Sequence, residues 1–579
     1  MVMNTPTQVK PWKQFFTEED WERPIPEETI YRQLRDACKG YEGYTAINFF
    51  DHKISYGELM RRIELAASSF AAMGIKAGDV VPCCSATVPE LVYALYGLSK
   101  LGATMLTLDP RRSGDEIKDF IVASGSRIVL MLDLAYPHLE VMLKSLNLDK
   151  VVIISVDDDM PYLMRKLKQF KVPSPTIEKD NRIISWKTFL AAGQGRRTEV
   201  APYRRDHTAA ITLTGGTTGA PKGVEITDLG FSCMVHNFKA CGVPYNRNQR
   251  YLDIIPAFSS YGLVSSLHMP LVFGLEVVMI PKFEPEKVGH YMKKYKPSHT
   301  MLVPSHYERL MQSREVQNGL DLSFLQTIGS GGDTINEGLE EKLNSFFKER
   351  GCPYPVSQGY GMSEVSSAAS ACIQNHVRTL SVGYPLLSTT VSVFKPGTTE
   401  ELGFNELGEL CMSGPALMKG YFNDPEETAR TMIPHPDGTV WVHSGDLGYM
   451  DEDGFIYIKG RIKRMITRHD GHKVFPIGLE NKLGAIEGVA SVAVVAIHDP
   501  DHAQGMLPLA VCLPEDTADP EAVQDRIFQY CSTEVEERGR PYDVWMVTEM
   551  PFTGMGKIDY NKLAEEYELR AEFQKHRAG

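Results

Sequence analysis

The run Thr212-Leu-Thr-Gly-Gly-Thr-Thr-Gly-Ala-Pro-Lys-Gly-Val224 holds the densest set of groups able to do chemistry. Gly215, Gly216 and Gly219 alternate with the hydroxyls of Thr214, Thr217 and Thr218, and Lys222 follows. Glycine lets a backbone take positive φ and come close to a ligand. Consecutive N–H groups in such a loop form a concavity for anions, and hydroxyls add donors. With a full positive charge beside it, the loop suits a polyphosphate. It is not a Walker loop, in which Lys directly follows Gly, because Ala220 and Pro221 intervene.

Two further glycine turns carry polar groups, Gly329-Ser-Gly331-Gly332-Asp333 and Gln358-Gly359-Tyr360-Gly361-Met-Ser363-Glu364. Each alone is a tight turn after a strand. Together they fit a nucleotide: the glycines admit a flat purine, and Tyr360 offers a stacking face. Ser363 can bond a phosphate oxygen, and Glu364 can hold Mg²⁺, which takes one or two carboxylates plus phosphate oxygens.

These motifs, in this order, resemble the adenylate-forming superfamily of acyl-CoA synthetases, adenylation domains and beetle luciferases. The phosphate loop departs from the family pattern once, with Gly215 for Ser, a change some fatty acyl-CoA ligases share. The resemblance extends to His443-Ser-Gly-Asp446, to Arg461 and to Pro551-Phe-Thr-Gly-Met-Gly-Lys557-Ile558. It implies that Asp446 and Arg461 hold the ribose, with Arg461 also suited to the α-phosphate. Lys463 is implied as the hinge to a small C-terminal domain, and Lys557 as the amine reaching the reacting carboxylate. Gly471, in a loop one residue longer than the family's usual spacing, is implied to line the thiol's path. The basic residues Arg461, Lys463, Arg464, Arg468 and Lys473 form a candidate surface for coenzyme A phosphates or an acidic carrier protein.

Phe258, Ser259 and Ser260 mark the acid pocket. The family's acyl- and aryl-CoA ligases usually place His where Ser259 stands, and its amino-acid-activating domains place Asp. Without a carboxylate there, an α-amino group would be buried unpaired at a cost. The expectation is a neutral-tailed fatty or aryl acid.

Elements that position these residues follow from periodicity. Apolar runs Val80–Ser85, Ala103–Leu108, Ile128–Leu132 and Val151–Ser155 alternate with helical spacing at Pro89–Leu101 and Asp115–Ala123. That pattern predicts βαβ units and a parallel sheet. Leu229–Ala240 is predicted helical, so the phosphate loop is expected to feed a helix N-terminus whose dipole adds to anion affinity. An Asp-Gly turn before Phe455 predicts a hairpin. Residues 157–180 are predicted to be a surface insertion. The expected fold is α/β: a large N-terminal domain (1–460) of βαβ-type sheets and a small barrel, then a small mobile α+β domain (461–579).

At 579 residues the chain exceeds a single core. Its net charge of −13 disfavours nucleic acid, which needs a cationic surface. Ten cysteines without CxxC spacing suggest neither zinc nor a disulfide framework. The apolar run 269–281, interrupted by Glu276, is too short to span a bilayer, so a cytoplasmic protein is expected.

The expected reaction is ATP-dependent conversion of a carboxylic acid to acyl-AMP with Mg²⁺, then transfer to coenzyme A. A stand-alone enzyme loading the phosphopantetheine of a carrier protein shares every motif. The same motifs are compatible with a luciferase-like oxygenase and with a non-catalytic binding protein that kept the fold.

Overall fold

The computed structural model describes residues 4–578 apart from 162–164, 167–174, 179, 215–220, 334, 503 and 553–557. Half of the expected insertion, the glycine-rich core of the phosphate loop and Lys557 therefore lie outside the described residues.

The alternating pattern builds a seven-stranded sheet. Its spatial order is Ile183–Ser185, Lys150–Ile154, Ile128–Leu132, Val80–Cys84, Thr104–Leu108, Thr208–Leu213 and Gly223–Thr227. Every neighbouring pair is parallel except the last. The crossovers are helices Pro89–Leu101, Gly114–Ser124 and Tyr136–Ser145. The first starts on Pro89, whose missing N–H costs nothing in a first turn, and ends on Gly102 at φ 73°. A nine-stranded sheet is the second layer, with Ser357–Tyr360, Thr327–Ser330, His299–Leu302, Arg250–Asp253, Glu276–Met279 and Thr45–Phe49 running parallel at its centre. Strands of both sheets share one apolar core with helices Tyr56–Ala72, Pro89–Leu101 and Asp228–Ala240.

The expected small barrel is a five-stranded antiparallel sheet holding Val440–Met450 and Ile456–Arg461. The predicted Asp-Gly hairpin joins these two strands, with Met450 opposite Ile456. Beyond it, Val489–His498, Met506–Pro514 and Asp543–Met546 form a three-stranded sheet with helices Pro476–Gly484 and Pro520–Glu534. Among the described residues no helix is long and apolar enough to cross a membrane.

The helix expected at 229–240 spans Asp228–Ala240, but the phosphate loop does not feed it. The strand Gly223–Thr227 intervenes, because its alternating β-branched residues Val224, Ile226 and Thr227 pair with Thr208–Leu213. The helix N-terminus is satisfied locally: Thr227 Oγ1 accepts from Gly230 N at 3.1 Å. Fully buried Asp228 accepts from Ile30 N at 2.8 Å and sits 2.6 Å from His207 Nδ1. That carboxylate ties the N-terminal helix Ile30–Ala37 to the middle of the domain.

Asp228→Ala strands two buried polar partners and is expected to cost about 3–5 kcal/mol. Differential scanning calorimetry should show a thermal midpoint several degrees lower. An unchanged midpoint would mean that the tie carries no net stability.

Candidate active site

The phosphate loop joins two antiparallel strands, and both of its roots are fixed. Thr214 N donates to Lys222 O at 2.9 Å, and Lys222 N donates to Thr214 Oγ1 at 3.0 Å. These bonds continue the ladder in which Leu213 faces Gly223. Gly215, Gly216, Thr217, Thr218 and Gly219 fall outside the described residues, so the structure speaks to the loop only through these roots.

The roots open onto a cleft of about 2170 Å³. Its wall gathers Thr214, Lys222, Phe258, Ser259, Ser260, Gly331, Gly332, Asp333, Gly359, Tyr360, Gly361, Ser363, Glu364, Arg461 and Lys463. Residues spread over about 250 positions of sequence thus meet around one space. Three expected residues are not on that wall. Gln358 is turned away by strand alternation: Ser357 and Gly359 face the cleft, while Gln358 Nε2 donates to Glu340 Oε2 at 3.0 Å. Asp446 stands behind the wall, 4 % exposed, with Oδ2 accepting from Tyr360 Oη at 2.7 Å and Oδ1 paired to Arg461 Nε at 2.9 Å. The ladder places Asp446 directly opposite Arg461. Gly471 lies elsewhere, in an exposed turn at φ 80° whose N–H donates to Arg468 O at 2.9 Å. That turn links the short strands Ile466–Thr467 and Lys473–Val474.

Glu364 sits in the short turn Ser363–Val365, 6 % exposed. Burial pushes its carboxyl above the ordinary carboxylate value, opposed by the Tyr421 hydroxyl, which donates to Oε1 at 2.7 Å. Lys222 Nζ lies 5.0 Å over the ring of the same Tyr421 and pairs with Glu427. The lysine holds the Glu427 carboxyl below its usual range. A buried carboxylate, a buried phenol and a half-buried ammonium therefore stand side by side. A hard divalent cation fits this donor set, since it would supply the charge that burial withholds from Glu364.

The backbone around Glu364 is tightly drawn. A Cβ on Gly361 would stand 1.9 Å from Ser367 O, so no side chain fits at that crossing. Ser366 and Ser367 beyond it have positive φ, 64° and 144°, and such strain clusters at functional sites. Ser260 Oγ meets Ser363 Oγ at 2.9 Å, which joins the expected acid pocket to the expected phosphate group. Ser259 accepts from Gly262 N at 3.1 Å and donates to Pro256 O at 2.9 Å. Its hydroxyl is thus engaged with the first turn of the helix Tyr261–His268 while the residue lines the cleft.

Spacing in the sequence did not reveal Tyr421, Glu427, Tyr245 or Met301, all on the cleft wall. They belong to no glycine motif, and only the packing of separate elements makes them neighbours. The basic surface is also reduced: Arg461 is held by Asp446, and Arg464 pairs with Glu480 at 2.6 Å while stacking 3.5 Å from the Tyr560 ring.

Residues 34–422 match the family described as AMP-binding enzyme, and residues 478–557 match the AMP-binding enzyme C-terminal domain. The chain belongs to the AMP-binding enzyme family. A long-chain-fatty-acid–CoA ligase of Bacillus subtilis (strain 168) is 28% identical over 575 residues, covering 96% of this chain and 98% of the ligase. The 4-coumarate–CoA ligase 1 of Arabidopsis thaliana is 27% identical over 517 residues, 88% of this chain and 86% of that one. Among solved structures, the anthranilate CoA ligase AuaEII in complex with anthranoyl-AMP aligns with TM-score 0.81 at 19% identity, over 96% of this chain and 99% of that one. ATP-bound MatB from Rhodopseudomonas palustris aligns with TM-score 0.78 at 23% identity, over 93% and 98%. These neighbours share the fold of this AMP-binding family member.

If Asp446 prepares the nucleotide end of the cleft, Asp446→Asn should weaken AMP binding. The amide can still accept from Tyr360 but presents N–H to Arg461, two donors face to face. Isothermal titration should show a Kd raised roughly tenfold to hundredfold, the worth of a hydrogen bond to a charged group. An unchanged Kd would assign the carboxylate to folding alone.

Proposed function

We propose that this protein activates a carboxylic acid with ATP and passes the acyl group to coenzyme A. The observation that carries the reading is the convergence on one cleft of the loop roots Thr214 and Lys222, buried Glu364, Arg461 and an apolar chamber beside Ser260. A carboxylate is a poor electrophile. In the first half-reaction its oxygen attacks the α-phosphorus of ATP, the bond to the β-phosphate oxygen breaks, and pyrophosphate leaves. In the second, a thiol attacks the acyl carbonyl, AMP departs with the carbon–oxygen electron pair, and the thiol proton passes to solvent.

The groups of this chain divide that work. The phosphate loop from Thr214 to Gly219 and Lys222 bind the β- and γ-phosphates. Tyr360, Gly359, Gly361 and the Gly331-Gly332-Asp333 turn hold the base, and Asp446 with Arg461 orients the ribose. Ser363 bonds the α-phosphate. Glu364 with the phosphate oxygens would hold Mg²⁺, which supplies charge neutralisation when bound. Lys557 stabilises the charge that grows on the α-phosphate. Phe552, five residues before it, lines the cleft, which supports that role. The relatives named as CoA ligases support coenzyme A over a carrier protein as acceptor. Ten free cysteines, nine of them buried, suit the reducing cytoplasm we infer.

Both halves need different neighbours at the same carbonyl, and we place the boundary between the domains near residue 461, with the hinge at Lys463. It sits in the short turn Ile462–Arg464 between two anchors: Arg461, tied to Asp446 of the large domain, and Arg464, tied to Glu480 and Val494 O of the small one. Rotation in that turn would exchange the Lys557 loop for the Gly471 turn at the cleft.

Two experiments test the reading. Glu364→Gln should raise the Mg²⁺ concentration needed for half-maximal pyrophosphate release, because a charged ligand is lost from a polyphosphate site; a wild-type Mg²⁺ dependence removes Glu364 from it. The half-reactions should also separate. Lys557→Ala should slow adenylate formation by roughly 10²–10³ while leaving thioester formation from supplied acyl-adenylate nearly intact. Gly471→Leu and Lys463→Pro should release pyrophosphate for a first turnover yet make little thioester. Equal damage to both halves in all three variants would sink the rotation.

A further inference from the structure

At one edge of the three-stranded sheet, far along the chain from the motifs of the cleft, three metal-ligating side chains meet. His498 closes the strand Val489–His498 opposite Met506, so residues 499–505 connect it to Met506–Pro514. Asp499 begins that connection with its side chain only 3 % exposed, and His502 follows three residues on. His469 reaches the same point from the turn between Ile466–Thr467 and Lys473–Val474. Asp499 Oδ2 lies 3.0 Å from His469 Nδ1 and 3.0 Å from His502 Nδ1. The two imidazoles are stacked, their centroids 3.5 Å apart and their planes within 7°. All three ligand atoms fall within 4.8 Å of one another.

The backbone sets up this arrangement. Asp501 N donates to Asp499 Oδ1 at 3.0 Å, which leaves Oδ2 for the two rings. Gly505, at φ 108°, passes so near His469 that a Cβ on it would stand 2.3 Å from His469 N. Any side chain there would push the two loops apart. Arg468 N donates to His472 O at 2.9 Å and closes the turn that presents His469. The imidazoles themselves keep freedom to turn, with the His469 and His502 side chains 32 % and 46 % exposed.

Two imidazole nitrogens and a carboxylate oxygen suit a first-row transition ion such as Zn²⁺, whereas Mg²⁺ and Ca²⁺ take oxygen ligands. Ligands bound to a tetrahedral ion at about 2.0–2.2 Å stand roughly 3.3 Å apart. The two 3.0 Å separations are close to that, and turning the exposed rings out of their stack would aim both lone pairs at the ion. The Asp501 hydrogen bond would hold the ligating carboxylate in place, as supporting bonds do around metal ligands. The other described cluster with such donors, Glu409, Cys411 and His443, is already committed. His443 Nδ1 pairs with Glu409 Oε2 at 2.9 Å, its Nε2 meets His435 Nε2 at 3.1 Å, and burial pushes the Cys411 thiol far up.

We infer that Nδ1 of His469, Nδ1 of His502 and Oδ2 of Asp499 hold one divalent transition-metal ion of the zinc class, its remaining positions open to water. The ion clips the turn that contains Gly471 to the connection 499–505. This site stands apart from the ligase reading and does not depend on it.

The test is metal binding by the full-length, tag-free protein after dialysis against a chelator. Isothermal titration with Zn²⁺ should show one site per chain, and Co²⁺ should give the visible absorption of an ion held by nitrogen and oxygen donors. A large excess of Mg²⁺ should displace neither. His469→Ala, His502→Ala and Asp499→Asn should each weaken Zn²⁺ binding by at least the roughly 10–100-fold that loss of a supporting partner costs. Zn²⁺ should raise the thermal midpoint of the wild type and leave that of His502→Ala unmoved. Midpoints measured without metal report whether each variant is folded. No stoichiometric Zn²⁺ binding by the wild type, displacement by Mg²⁺, or undiminished binding in either histidine variant overturns the inference.

Discussion

Placing an anionic carboxylate beside a polyphosphate is a problem of repulsion, and the compensation of that charge is what the rest of the structure serves. Two unit charges 4 Å apart interact by about 4 kcal/mol near a protein surface, and more where water is excluded. The chain meets this with groups that are already in tension. Glu364 is buried and raised towards neutrality, Tyr421 steadies it with one hydrogen bond, and Lys222 is parked on Glu427 over the same ring. In the proposed reaction a cation at Glu364 and a phosphate at Lys222 would each relieve part of that tension. Preorganised charge of this kind need not reorganise during the reaction, which is why it is effective.

Holding such groups in place requires backbone that side chains cannot approach. Gly361 crosses Ser367 so closely that a methyl group has no room, and the two serines after Glu364 and Val365 accept positive φ to bring the chain back. The roots at Thr214 and Lys222 do the same for the phosphate loop, with two hydrogen bonds in place of a helix N-terminus. Strand pairing won over the helix there because residues 223–227 alternate and carry β-branched side chains. No helix N-terminus therefore stands directly behind the loop, and Lys222 is the charge at its described root.

The Asp446–Arg461 pair has two consequences. It fixes the carboxylate behind the cleft wall through Tyr360, and it anchors the strand that leads into the turn at Lys463. The residue next to the turn on the other side, Arg464, is anchored just as firmly to the small domain. A turn pinned on both sides concentrates any rotation in very few dihedrals, which is how hinges preserve the geometry of the bodies they join.

Much of this chain was legible from local pattern. Helices such as Pro89–Leu101 and Asp228–Ala240, the strand Ile128–Leu132 and the hairpin before Phe455 are set by periodicity, proline and Asp-Gly signals that act over a few residues. The glycine motifs likewise marked Thr214, Lys222, Gly331, Tyr360, Ser363 and Glu364, and the family resemblance marked Arg461, all of which the fold brings to one wall. What only the tertiary structure decided depends on which face a side chain takes and which distant element it meets. Gln358 lies inside a nucleotide motif yet strand alternation turns it to Glu340. Tyr421, Glu427, Tyr245 and Thr327 lie in no motif, and they reach the cleft because sheets, helices and the half-barrel pack from segments up to hundreds of residues apart. Local interactions write elements into neighbouring residues, whereas burial and hydrogen-bond satisfaction are properties of the assembled space, and no short stretch of sequence contains them.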